Sequence, residues 1–192
     1  SFWNSSDETP RHVGTLLHRL LERIALDGLQ HWNTTRIASI RPALRRELLR
    51  LGVAVYRIDD ALIQIQHALE NTLADSRGRW ILQSHEQAHC EWALGGQIEG
   101  RTISAVIDRS FIDNDVRWII DYKSAMPNAE TAESIESFLD RQQMLYRPQL
   151  ETHAAMLHAN QPDISIRLGL YFPLLAQWRE WSTQEPDRLE RL

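Results

Sequence analysis

Two segments rich in β-forming residues, separated by a short turn, constrain the fold of this chain more than any other feature. The first, RTISAVIDRSFI at residues 101–112, alternates between apolar and polar residues, and the second, VRWIIDYKS at residues 116–124, is apolar at its centre. The DND sequence between them, at residues 113–115, is typical of a turn. We therefore predict two antiparallel strands that pair as a hairpin.

Helical patterns surround the predicted hairpin. The first third of the chain is helical in pattern, and a third helix is expected to end at SRG, residues 76–78. Residues 131–159 return to a helical pattern, with a kink or boundary expected at Pro148, and ISIRLGLYFPL at residues 164–174 is typical of a late strand. The clearest helical stripe consists of Val13, Leu16, Leu17, Leu20, Leu21 and Ile24.

This order of helices, antiparallel strands, a helix and a further strand predicts an α/β (α+β) fold with a sheet flanked by helices. We expect residues 1–79 to form a helical N-terminal segment and residues 80–192 to form the sheet-containing core. With 192 residues, the two parts are expected to make one compact domain.

Composition limits the partners and the compartment. The sequence has no run of about 18 apolar residues and no signal-peptide pattern at SFWNSSDETP, so we predict no membrane contact. Its single cysteine, Cys90, excludes an intrachain disulfide and a cysteine-based zinc site, and it fits a cytoplasmic protein. The net charge of −5 is unusual for an isolated domain that grips nucleic acid. Because the sequence does not start with methionine, we expect a piece of a longer chain.

Charged residues interrupt both strands of the predicted hairpin. Asp121 and Lys123 lie two apart and therefore on one face of the second strand, while Tyr122 points the other way. Asp108 interrupts the first strand, and hairpin pairing would bring it close to Asp121. Paired carboxylates suit Mg²⁺, and a lysine beside them suits phosphodiester hydrolysis. A structural salt bridge is the alternative explanation for a single Asp-x-Lys.

Several short motifs together resemble one family. VIDR, a hairpin and DYKS are similar to the core of the PD-(D/E)xK nuclease superfamily, and more narrowly to the RecB-like and AddA-like nuclease domains at the C-terminal end of bacterial UvrD-type helicases. GTLLHRLLE, HCEWAL and YRPQLETHAAML match further motifs of those domains in the same order. Ala105 stands where the family has glycine, and His153 stands where it has tyrosine. The resemblance implies a restriction-endonuclease-like core with a mixed central sheet.

The resemblance also implies the metal and its ligands. His18, in the first helix, would be a metal ligand together with Asp108 and Asp121, and Tyr122 would contribute its backbone carbonyl. The metal would be Mg²⁺, for which Mn²⁺ substitutes.

The resemblance gives the remaining site residues their expected roles. Lys123 would position or activate the attacking water, and Glu91 would order the metal's water shell or bind the metal. Tyr146 and Gln149, three apart on one helix, would contact a phosphate or a base of the substrate.

The implied activity is exonuclease cleavage of single-stranded DNA during double-strand break repair and recombination. The chain has no G-x-x-x-x-G-K-[ST] motif, so the helicase motor would belong to another part of the parent chain, and a second helicase–nuclease subunit is a further partner that the resemblance implies. A motor that holds the DNA would explain the acidic charge of this domain. The alternative is a catalytically silent scaffold or strand guide in the same kind of complex.

A remote alternative comes from HEQAH at residues 85–89, which fits H-E-x-x-H. In zinc metalloproteases this pattern lies on a helix, where two histidines bind zinc and the glutamate is the general base. The strand-like CEWAL sequence follows directly, and Trp92 stands where the metzincin extension has glycine. The protease hypothesis therefore requires residues 85–89 to be helical.

Overall fold

A computed structural model of the protein describes residues 8–183. The described chain forms two compact units, one from the parts within 1–84, 122–126 and 172–177, and the other from the remaining residues. The helices and strands, in chain order, are α1 (Thr9–Asp27), α2 (Thr34–Arg50), α3 (Ile58–Ala74), α4 (Ser76–Leu82), β1 (Glu86–Ile98), β2 (Arg101–Asp113), β3 (Val116–Tyr122), α5 (Ile135–Asn160), β4 (Ser165–Phe172) and β5 (Gln177–Ser182).

The first unit is built on the four helices that precede the sheet. Helix α1 buries the predicted apolar stripe, and α3 lies in contact with α1, α2 and α4. Helix α3 contributes a second set of buried side chains, including Ile58, Leu62, Ile65 and Leu69. Because both helices bury one apolar face, their mutual packing forms the core of this unit.

The SRG sequence does not follow the prediction. Instead of ending the helical region, these residues begin the short helix α4. The reason is the preceding Asp75, whose carboxylate accepts a hydrogen bond from the Gly78 backbone N–H at 3.0 Å and caps the new helix.

The second unit contains a mixed five-stranded sheet in the order β1-β2-β3-β4-β5, with α5 in contact with β1. Strands β2 and β3 form the predicted antiparallel hairpin. Asp113 pairs with Val116, and the two turn residues, Asn114 and Asp115, have positive φ angles of 49° and 61°. Asn and Asp tolerate this conformation better than most residues, which explains why DND forms the turn.

We predicted a kink or a boundary at Pro148; helix α5 continues through this residue, so it is not a boundary. Proline removes one backbone donor and leaves the carbonyl of the residue four positions earlier, Met144, without its helical partner. Both Pro148 and Met144 are exposed, so water can hydrate that carbonyl and the helix tolerates the proline.

The predicted fold class, an α/β arrangement of a mixed sheet with helices, is confirmed. Within residues 8–183, the structure contains no helix that is both long enough and apolar enough to cross a membrane.

Candidate functional site

The hairpin register determines how the two aspartates face each other. Arg109 pairs with Ile120, and the same register continued by one residue would set Asp108 opposite Asp121. Residues opposite each other in an antiparallel pair project from the same face of the sheet, with their Cβ atoms about 5 Å apart. Asp121 is only 7% exposed. Burial of a carboxylate is costly without a partner, so this position requires a cation or hydrogen-bond donors.

A third carboxylate comes from strand β1. Glu91 lies between Cys90, which pairs with Arg109, and Trp92, which pairs with Ile107, and it is therefore level with Asp108. One carboxylate oxygen of Glu91 lies within 4.8 Å of one of Asp108. Like charges at this separation repel, and a bound cation would turn that repulsion into attraction.

Glu91 also has an unusual backbone conformation. Its φ angle is +46°, in the left-handed region that residues other than glycine seldom occupy. Outliers of this kind persist only where the surrounding structure holds them, and they are concentrated at functional sites. The position of the Glu91 carboxylate therefore depends on the groups that fix β1 on either side of it.

His18 lies against the chain that leaves strand β3. Its Nε2 atom is 3.0 Å from the backbone carbonyl oxygen of Tyr122, and the two rings meet edge to face with centroids 5.8 Å apart. In the absence of a metal, protonated Nε2 donates a hydrogen bond to this carbonyl. Tyr122 follows Asp121 directly in the chain, and Lys123 follows Tyr122.

Gly14, one helical turn before His18, was not identified from the sequence. A Cβ atom at Gly14 would lie 2.8 Å from Oγ of Ser124, which is closer than side chains normally approach. The absence of a side chain therefore lets α1 come close to residues 122–124 and brings His18 to the Tyr122 carbonyl. The glycine that opens GTLLHRLLE was the available signal.

Arg117 is the other residue that sequence reasoning missed. Its side chain is almost completely buried in strand β3, at 1% exposure, and it reaches across the sheet to Gln87 of β1. Burial lowers the pKa of its guanidinium, which nevertheless stays charged at neutral pH. An arginine inside the apolar VRWII sequence was a signal that the sequence offered.

The zinc protease hypothesis is wrong, because β1 begins at Glu86 and the H-E-x-x-H pattern lies on a strand. The two histidines stack on different aromatic rings, His85 on Phe111 at 3.8 Å and His89 on Trp92 at 4.1 Å between centroids. Burial, followed by the charges of Arg117 and Arg109, lowers the pKa of His89. Both imidazoles therefore belong to the packing of the sheet.

Tyr146 and Gln149 lie one turn apart on α5, on a stripe that also contains Gln142 and His153. Gln149 is exposed and Tyr146 is half-buried, whereas Gln142 and His153 are buried. The stripe therefore changes from buried to accessible at the two residues predicted to contact substrate.

Comparison with known proteins identifies the family. A family model described as the PD-(D/E)XK nuclease superfamily matches residues 3–190, which is nearly the whole chain. No curated protein matches the sequence. The match includes the hairpin with Asp108 and Asp121, the strand with Glu91 and the helix with His18. This chain belongs to the PD-(D/E)XK nuclease superfamily.

Proposed function

We propose that the protein is a metal-dependent deoxyribonuclease that hydrolyses phosphodiester bonds at the carboxylates of the hairpin. One observation supports this most directly. Carboxylate oxygens of Glu91 and Asp108 lie within 4.8 Å of each other, and Asp121 follows Ile120, whose partner Arg109 is next to Asp108. Two carboxylates this close on neighbouring strands of a nuclease-family sheet, with a third on the adjoining strand, support a divalent cation as their partner.

The donor set fits Mg²⁺, with Mn²⁺ as a substitute. Both are hard cations that prefer oxygen, and Asp108 and Asp121 supply carboxylate oxygens. We propose that His18 and the Tyr122 carbonyl complete the protein ligands. His18 Nε2 and the Tyr122 carbonyl oxygen lie 3.0 Å apart, so both groups could contribute to one metal site.

The bound cation supplies charge that polarises a phosphate oxygen and acidifies a water molecule. Lys123, two residues after Asp121, holds the attacking water and offsets the negative charge that develops on the phosphate. Glu91 orients the water molecules around the metal, including the attacking water. The water oxygen forms a bond to phosphorus as the bond to the leaving oxygen breaks. The water loses one proton and the leaving oxygen gains one, so hydrolysis releases no net proton at this stage.

The finer part of the proposal concerns the substrate and the partners. Tyr146 and Gln149 contact a phosphate or a base of a single DNA strand, and cleavage proceeds from an end as exonuclease action in double-strand break repair. The resemblance to RecB-like and AddA-like domains supports a cytoplasmic helicase of the same parent chain as the source of that strand, and a second helicase–nuclease subunit as a further partner. The net charge of −5 is compatible with DNA held mainly by such a motor.

The test uses end-labelled single-stranded DNA with Mg²⁺ or Mn²⁺, and compares the protein with its Asp121→Asn variant. The matched control is Asp163→Asn, which changes an exposed aspartate before β4. We expect metal-dependent cleavage that Asp121→Asn abolishes and Asp163→Asn preserves. Cleavage that persists in EDTA or in Asp121→Asn would refute the proposal. Tight Mn²⁺ binding by a folded protein that cuts no DNA would favour the silent scaffold instead.

A further inference from the structure

We propose that Arg117 is a positioning residue for Glu91, because its guanidinium holds strand β1 on both sides of that carboxylate. This inference rests on the proposed function, in which Glu91 orders the metal's surroundings. Arg117 does not contact the reacting atoms in this proposal and acts only through β1.

Arg117 holds β1 before Glu91 through a pair of hydrogen bonds to Gln87. Arg117 donates from Nη1 to the Gln87 backbone carbonyl at 2.9 Å and from Nη2 to the Gln87 side-chain Oε1 at 2.7 Å. A further contact from Nη1 reaches Ser110 Oγ at 3.4 Å, and that hydroxyl donates to the Trp118 carbonyl at 2.7 Å. Arg117 therefore ties the start of β1 to both strands of the hairpin.

Arg117 holds β1 after Glu91 through a cation–π contact. The guanidinium carbon of Arg117 lies 5.5 Å from the ring centroid of Trp92, the residue that directly follows Glu91. His89 stacks on the same indole. The guanidinium thus touches the chain four residues before Glu91 and one residue after it.

The segment between these contacts needs such support. The pairing of β1 with β2 shifts register between Glu86 and His89, and both Gln87 and Glu91 have positive φ angles, of 45° and 46°. A strand with a register shift and two left-handed residues can pair with its neighbour in more than one register. The contacts of Arg117 with Gln87 and Trp92 favour one register, in which Glu91 is level with Asp108.

The chemistry of the guanidinium suits this role. Its planar fork donates to the carbonyl and the amide of one residue at once, and its flat face covers an indole. Lysine offers a single point charge and cannot make all three contacts. Its hydrogen-bond partners, Gln87 and Ser110, are neutral, and the charge of Glu86 offsets part of the cost of burying the guanidinium. The effect of burial is nevertheless the larger, which favours a role in positioning over a gain in stability.

Two variants separate this role from a general loss of structure. Arg117→Lys keeps the charge and loses the fork, and Gln87→Ala removes one partner of the fork at an exposed position that leaves the core unchanged. The control is Arg167→Met. Arg167 lies in strand β4 over Trp118 at 5.5 Å and pairs with Glu180 at 2.9 Å; it is more exposed than Arg117, and its described contacts avoid β1.

Mn²⁺ affinity measured by calorimetry or by electron paramagnetic resonance is the first readout, and the kinetics of DNA cleavage are the second. Groups that orient a metal's ligands change affinity or activity by about 10- to 100-fold when they are removed. We expect Arg117→Lys and Gln87→Ala each to weaken Mn²⁺ binding by at least about tenfold and to lower kcat with little change in KM for DNA. Arg167→Met should bind Mn²⁺ like the unmodified protein.

Equal Mn²⁺ affinity in the folded Gln87→Ala variant and the unmodified protein would overturn the inference, whether or not Arg117→Lys folds. An equal loss of Mn²⁺ affinity in Arg167→Met would also overturn the inference, because the loss would then come from a general destabilisation of the sheet. Failure of the proposed function looks different. In that case the unmodified protein itself binds no Mn²⁺ and cuts no DNA, and the role of Arg117 falls with it.

Discussion

Gly14 provides a direct test of how closely helix α1 approaches the chain after β3. Alanine at this position places its Cβ 2.8 Å from Ser124 Oγ, while the next nearest atom, Ser124 Cβ, lies at 3.8 Å. The first distance is too short for a normal contact and the second is ordinary van der Waals contact. The effect of Gly14→Ala should therefore depend on whether the Ser124 hydroxyl is present.

Two opposing terms determine how Gly14→Ala changes the free energy of unfolding. Alanine is favoured over glycine inside a helix by about 1 kcal/mol. Overpacking against a fixed neighbour costs about 1 to 3 kcal/mol. We expect Gly14→Ala to be neutral or to destabilise the protein by up to about 2 kcal/mol, the difference between these terms. In a Ser124→Ala background only the helix term remains, so the same substitution should stabilise by about 1 kcal/mol.

Urea denaturation of the four proteins, namely the unmodified chain, each single variant and the double variant, measures both effects in one cycle. We expect a coupling energy of about 1 to 3 kcal/mol between the two positions. Mn²⁺ affinity should also fall in Gly14→Ala, because His18 lies one turn further along the displaced helix. Stabilisation by the same amount in both backgrounds would refute the close approach.

Three further predictions concern other parts of the chain. Saturation with Mn²⁺ at about 100 times its Kd should stabilise the protein by about 2.7 kcal/mol in urea, and Asp108→Asn should lose this gain. Gly169→Ala should unfold more readily, since its Cβ would overlap with the Trp178 ring. Hydrogen bonds from Arg141 hold the pKa of Glu133 below its usual 4.5. The stability that these hydrogen bonds add is complete above pH 4.5 and is lost as the pH falls through the lowered pKa of Glu133. Arg141→Gln should therefore lower the melting temperature at pH 7, and the melting temperatures of variant and parent should be closer in acid. Equal stability of Gly169→Ala and the parent would contradict the first of these structural predictions. A melting-temperature difference between Arg141→Gln and the parent that grows in acid would contradict the second.

Local patterns in the sequence were sufficient for much of the fold. The apolar stripe of α1 and the two strands around DND depend on periodicities of 3.6 and 2 residues and on turn chemistry, which neighbouring residues determine among themselves. The hairpin then pairs Arg109 with Ile120, the neighbours of Asp108 and Asp121, since the turn sets the register. These features could be predicted because each depends on residues close together in the chain.

Local reasoning failed where two signals competed. SRG resembles a helix end, yet Asp75 caps a new helix there. Pro148 resembles a boundary, yet its exposed position lets water replace the lost hydrogen bond and α5 continues. HEQAH, by contrast, was only a remote zinc alternative because strand-like CEWAL follows it, and pairing with β2 does make it part of a strand. In each case the outcome depended on solvent exposure or on a partner that the pattern itself does not contain.

The sequence by itself determined which residue types the site contains and which hairpin holds its aspartates. Only the tertiary structure decided how Glu91 meets Asp108, because that depends on a register shift in β1 and, as we propose, on Arg117, thirty residues along the chain from its partner Gln87. It also decided how His18 meets the Tyr122 carbonyl, 104 residues away, through the close approach at Gly14. Such contacts form when distant segments pack together, and packing depends on shape and burial in three dimensions, which no short sequence pattern encodes.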